Sequence, residues 1–231
     1  MLDKDVALRY VKRKKRKKRV AIMSSIASIG LAILIIIAFN LFYVDRFTIS
    51  ISESTDLCLT TDQESFTTKL NAPPLLKATD TQYTDIPENI DDGLGSKNTD
   101  YYFAYSFYLG CKSSSESSIN YELSMTLDEV NQNLEEAMRV MIIKNGVKSI
   151  YSKGGKYIYD GETHESEPQI IGSTIPFKDN KHIILEPYKI KSGEFDKYTI
   201  VMWIDGWESV NEMKGGVFQS NLKFSTISIN N

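Results

Sequence analysis

Three acids in the stretch DKYTIVMWIDGWESVNEMKGGVF, residues 196 to 218, have the types and spacing to hold a cation: Asp205, Glu208 and Glu212. Carboxylate oxygens are the hard ligands that Ca²⁺ prefers, and a loop gathers them readily. The same residues have a plainer reading. Tyr198, Ile200, Met202 and Ile204 alternate with Thr199, Val201 and Trp203, so both faces are largely apolar, as in a central strand. Asp205-Gly206 then ends that strand, and turn chemistry accounts for each polar residue up to Gly215-Gly216. The strand corner is the preferred reading, with a Ca²⁺ site as its alternative and no other cofactor expected.

The remaining candidates are weaker. Only His164 and His182 are present. HESEP, from His164, begins like the H-E-x-x-H of a zinc protease, but its fifth residue is Pro168, which also disfavours the helix that would bring two ligands to one face. No G-x-S-x-G elbow occurs, so a hydrolase or peptidase is the least supported class. DDGLGSKNTD, residues 91 to 100, supplies oxygens and glycines but not the register of a calcium loop. Cys58 and Cys111 could form one disulfide if the domain is exported, or stay as two buried thiols; spacing alone does not choose.

The elements that must position these residues read as β. FTISIS alternates after residue 46, YYFAYSFYLGC is aromatic on both faces, and INYELSM alternates again. LDEVNQNLEEA is the clearest helix candidate, with Asp128 as its cap. Two β-rich runs flank Asn145-Gly146, the pair that best tolerates the positive φ of a type I′ turn, which predicts a hairpin of about 137–144 with 147–152. With little helix and about eight to ten short strands, the expected fold is all-β: an antiparallel two-layer sandwich, jelly-roll-like or immunoglobulin-like.

Charge divides the chain into three. Residues 1 to 19 carry ten Lys or Arg against two Asp, a net of +8, including the run Lys12, Arg13, Lys14, Lys15, Arg16, Lys17, Lys18 and Arg19. Residues 20 to 44 carry no charge over 25 residues, and about 20 helical residues cross a bilayer. Residues 45 to 231 hold 17 basic and 28 acidic residues, a net of −11. No Ala-x-Ala follows the apolar core, so residues 20–44 read as an uncleaved signal-anchor helix tethering the sandwich. The basic run keeps the head of residues 1–19 cytoplasmic and residues 45–231 outside. That run also resembles a nucleic-acid patch, but beside a span it determines topology and meets anionic headgroups; no nucleic acid is expected as a partner. The twelve Asn of the exterior part form no Asn-x-Ser/Thr sequon.

YFAYSFYLGC, EEAMRVMIIKNGVKSIY and YTIVMWIDGWESVNEMKGGVFQSNLKFS, in this order, resemble a group of exported low-GC Gram-positive proteins with one N-terminal hydrophobic segment. That group is distantly similar to the camelysin and TasA-type biofilm-fibre family. The resemblance covers roughly residues 100 to 225 and rests on fold motifs, not catalytic ones. It implies a jelly-roll-like sandwich at the cell surface, able to assemble by strand exchange. Two departures stand out: those proteins typically have a cleavable signal, and no metalloprotease residue of camelysin can be matched here. The expected function is that of a single-pass cell-membrane protein whose extracellular sandwich is non-catalytic and serves structure, adhesion or matrix assembly. Its partners would be the bilayer and, through sheet edges, itself or other envelope proteins. The alternative is an exterior ligand- or cation-binding sensory module.

Overall fold

The computed structural model describes residues 30, 47–52, 56–74, 78–112, 117–153, 156–159, 162–165, 174–206 and 209–230. The chain divides into two compact units, Met1–Asp45 and Arg46–Asn231. In the first, Gly30 is helical; the expected basic head and signal anchor otherwise lie outside the described residues. Among the described residues no helix is long and apolar enough to cross a membrane.

In the second unit the strands are β1 (Phe47–Ser52), β2 (Leu57–Thr60), β3 (Lys69–Ala72), β4 (Asp80–Thr81), β5 (Gly95–Ser96), β6 (Tyr102–Cys111), β7 (Ser118–Val130), β8 (Met138–Lys144), β9 (Val147–Ser152), β10 (Lys156–Tyr159), β11 (Glu162–Glu165), β12 (Ile175–Pro176), β13 (His182–Lys191), β14 (Phe195–Asp205) and β15 (Phe218–Asn230). One sheet runs β13-β7-β15-β1-β3 and the other β12-β9-β8-β14-β6-β2, with β4 added to β14 and β5 to β6; β10 and β11 form a separate hairpin.

The two large sheets bury one common core. Ile49, Tyr121, Leu123, Met125, Leu222 and Phe224 from the first meet Phe103, Phe107, Val140, Ile142, Tyr198 and Ile200 from the second. Phe224 lies 5.3 Å from the Tyr198 ring and 6.0 Å from Phe107, centroid to centroid, both edge-on, the arrangement that the ring quadrupole favours. The all-β, two-sheet expectation therefore holds, with one correction. The sheets are mixed, because β1 runs parallel to β15, β12 to β9 and β4 to β14. The first and last long strands lie side by side in the same direction, which no local turn can specify.

Strands β6, β8 and β14 are apolar on both faces because each face has a different cover. Their inner residues enter the main core, while Tyr102, Ala104, Met141, Ile143, Val201 and Trp203 form a second cluster with Ile86 and Ile90. Those two isoleucines come from the connection between β4 and β5, which thus caps the outer face. Each fully buried side chain of this kind contributes about 1.5–3 kcal/mol, so the two help to anchor that segment.

The predicted hairpin is present. Lys144 pairs with Val147, and Asn145 and Gly146 have φ of 50° and 81°, so a two-residue turn with both central residues left-handed joins β8 to β9. The predicted helix shrinks to one turn, α1 (Leu134–Ala137), and Asp128 does not cap it. Strand pairing wins over helix propensity there: β7 continues to Val130 against β15, and Asp128 accepts hydrogen bonds from Thr126 Oγ1 at 2.8 Å and from Asn221 Nδ2.

Candidate functional site

At the exit of β14, Asp205 is buried against Arg139, with Nε 3.4 Å from Oδ2 and each side chain only 6% exposed. Arg139 also donates from one terminal nitrogen to the carbonyls of Glu136 at 3.0 Å and Met138 at 3.2 Å. It comes from β8, where it is the cross-strand neighbour of Trp203, so the cation beside Asp205 is supplied by the protein. Glu212 is exposed on a short 3₁₀ turn, Asn211–Met213. Glu208 lies outside the described residues. Among the described residues, no group of three or more His, Cys, Asp or Glu is placed to hold a metal ion.

The loop of residues 91 to 100 is likewise served by the protein's own cations. Lys97 Nζ donates to the Ile90 carbonyl at 2.5 Å, and Lys197 Nζ donates to the Asp91 carbonyl. Burial and then the neighbouring Lys197 push the Lys97 pKa down, with Asp91 and Asp92 opposing. His182 sits at the surface with Nδ1 3.0 Å from both Asp179 oxygens. His164 is in strand β11, opposite Tyr157, so the helix that H-E-x-x-H requires is not formed there.

Cys58 and Cys111 are both buried, and no disulfide joins them in this structure. Leu57 pairs with Cys111 and Cys58 with Gly110. In an antiparallel ladder such partners share a face, so successive residues Leu57 and Cys58 send the two sulfurs to opposite sides of the sheet. Cys111 joins the main core, while Cys58 packs beside Gly110 on the outer side. A disulfide needs both Cβ vectors converging within about 4.5 Å, which this register forbids without a slip. Burial raises the Cys58 thiol pKa, partly offset by Lys112.

The densest polar constellation lies at the opposite end of β14 from Asp205. Lys144, Asp196 and Tyr198 come from the second sheet and Tyr121, Glu186 and Tyr188 from the first, so the cluster bridges the layers near the Asn145-Gly146 turn. Lys144 Nζ is 3.0 Å from Asp196 Oδ2. It also lies 4.4 Å from the Tyr188 ring centroid, 5.7 Å from Tyr121 and 5.9 Å from Tyr198, within cation–π range of all three. Tyr121 donates to Asp196 Oδ2 at 3.0 Å, and its own oxygen is 2.7 Å from the Tyr198 hydroxyl. Each phenol has a single proton, so Tyr198 donates to Tyr121 and Tyr121 to Asp196. Asn145 Nδ2 completes the carboxylate's shell with a 2.7 Å bond to Oδ1.

Glu186 extends this seam by accepting from Tyr151 at 2.8 Å and Tyr188 at 2.7 Å, one phenol on each oxygen. All four tyrosines are pushed above the ordinary phenol pKa, first by burial, then by Asp196 and by Tyr198 for Tyr121, by Asp196 for Tyr198, and by Glu186 for Tyr151 and Tyr188. They stay protonated donors at neutral pH, and a tyrosinate base is not on offer. Chemically the seam holds one ammonium beside a carboxylate in an aromatic enclosure, with hydrogen-bond donors on both carboxylate oxygens.

Sequence reasoning passed over this end of β14, although the signal was present. Lys144 continues the inward set Met138, Val140 and Ile142; Glu186 sits between inward Ile184 and Ile190; Asp196 precedes inward Tyr198, Ile200 and Met202. A charge in register with core positions is the anomaly that marks a polar network. No protein-family model, no curated protein and no solved structure matches the chain.

Proposed function

We propose that the chain is a single-pass surface protein: a basic cytoplasmic head, a signal anchor over residues 20–44 and an exterior β-sandwich serving envelope structure, adhesion or matrix assembly. The finer fold reading, jelly-roll-like or immunoglobulin-like, belongs to the same proposal, as does the likeness to biofilm-fibre proteins. The +8 head beside an uncharged 25-residue segment supports the topology.

One observation carries the assembly role. The β1–β15 pairing ends at Ser52 with Ser225, whereas β15 continues to Asn230. Along that side the last five residues of β15 have no strand partner among the described residues, and Ile227 and Ile229 are 57% and 52% exposed. An apolar strand end with one unpaired side is a template for an added strand. The cation-binding alternative has less support, because Arg139 already balances Asp205.

The full chain, expressed in a Gram-positive host and in detergent, tests both halves. Protease added to intact cells should remove the sandwich and spare the head; protection of the sandwich would overturn the topology. Ile227→Lys with Ile229→Lys should suppress cross-linked oligomers of the detergent-solubilised chain, and oligomers unchanged by that pair would overturn strand addition through β15.

A further inference from the structure

We propose that Lys144 and Asp196 condense into an intramolecular amide, a covalent cross-link between β8 and β14 at the open end of the sandwich. Three features of the pair favour it. Lys144 Nζ already meets the carboxylate that it would attack, 3.0 Å from Oδ2, and four-fifths or so of each side chain is covered, 22% and 14% remaining exposed. The pair is held from both sides: Lys144 is the cross-strand partner of Tyr198, and Asn145, the next residue, exchanges bonds with the strand carrying Asp196, accepting from the Lys197 amide at 2.8 Å. Finally, each carboxylate oxygen has its own donor, Tyr121 on Oδ2 and Asn145 Nδ2 on Oδ1.

These placements match the demands of the reaction. Lys144 gives one proton to Asp196 Oδ2, leaving an amine and a carboxylic acid. The amine lone pair attacks Cγ, and the negative charge that develops on Oδ1 is met by Asn145 Nδ2 as an oxyanion donor. The Cγ–Oδ2 bond then breaks. The nitrogen's second proton passes to Oδ2 through the Tyr121 hydroxyl in one concerted relay, the phenol taking one proton as it gives its own, so both protons lost from Nζ leave with Oδ2 as water. Nothing is oxidised or reduced, and no co-reactant is consumed. Tyr121 is placed for this relay by its 3.0 Å hydrogen bond to Oδ2.

Condensation is uphill for separate molecules in water. Here the partners are fixed on adjacent strands, and effective molarities of about 10⁵–10⁸ M for well-oriented groups lower the barrier to joining. The product also removes two opposite charges from a mostly covered site, which lessens the desolvation burden that an ion pair carries. The resulting link would hold the hairpin to β14 under load, whatever the sandwich binds.

The test is a mass measurement on the folded full chain after incubation at neutral pH, with peptide mapping. The expected result is a mass lower by one water and a joined peptide pair containing Lys144 and Asp196. Lys144→Arg and Asp196→Ala should show the full mass. Asp196→Asn should still join, losing ammonia instead of water, and Tyr121→Phe should slow the joining by about 10²–10⁴-fold, with circular dichroism verifying that each variant is folded. Unmodified Lys144 and Asp196 peptides from folded wild-type protein would overturn the proposal, as would joining at the same rate in Tyr121→Phe overturn the role of that phenol.

Discussion

Arg139 and Asp205 form a buried ion pair at the exit of β14, with Nε 3.4 Å from Oδ2. Removing one member of such a pair strands the other charge in a nearly dry site, whereas replacing both with apolar groups of similar volume does not. Asp205→Ala should therefore cost about 3–5 kcal/mol of stability in urea unfolding, and Arg139→Met with Asp205→Leu should recover most of it. Equal loss in the single and double variants would show that the pair is not what Asp205 contributes.

The same pairing bears on Ca²⁺. With Asp205 answered by Arg139, added Ca²⁺ should leave the thermal midpoint of the full chain unchanged. A rise that disappears in Asp205→Ala would reinstate the cation site with Glu208 and Glu212 as the other ligands.

Alkaline stability should report the tyrosine seam. Tyr121 and Tyr198 are fully buried and their pKa values are raised in the fold, so the native state keeps protons that the unfolded chain gives up. Their contribution is complete below the unfolded phenol pKa of about 10 and declines as pH rises beyond it, by about 1.4 kcal/mol per pH unit for each phenol. Unfolding free energy measured from pH 9 to pH 12 should show that steep fall, flattened in Tyr121→Phe. A flat profile in the wild type would remove the seam's role in stability.

How much was legible in the sequence follows from what each feature depends on. Asn145-Gly146 could be read because a two-residue hairpin imposes positive φ, and both residues have it. The central strands β6 and β14 could be read because apolar residues fill both faces. The parallel pairing of β1 with β15 could not, since Thr48 and Asn221 lie far apart along the chain and no local turn links them. Leu127 to Val130 misled because ladder pairing with β15 overrides helix propensity. For the candidate site, attention went to the acids beside glycines, Asp205 to Glu212, when the informative acids were Glu186 and Asp196, in phase with the core.

Gly216 shows what the glycine pair in the corner is for. A Cβ there would lie 2.9 Å from the Met213 carbonyl oxygen and 3.3 Å from that of Asn131, both backbone atoms. Backbone cannot swing aside as a side chain can, so Gly216→Ala should destabilise by about 1–3 kcal/mol, the range of an overpacked site. An unchanged urea midpoint would mean that the corner relaxes.

The two thiols offer a test of the strand register itself. Cys58 and Cys111 are 4% and 2% exposed and face opposite sides of the sheet. Burial also holds the Cys58 thiol above its ordinary pKa, which lowers its thiolate fraction further. A thiol reagent at neutral pH should therefore leave both unmodified in the native full chain and label two equivalents once the chain is unfolded in guanidinium. Mild oxidation of the native protein should produce no intramolecular disulfide. If instead Cys58–Cys111 peptides join under oxidation without denaturant, the β2–β6 ladder must slip by one residue, because only that shift turns both sulfurs to one face.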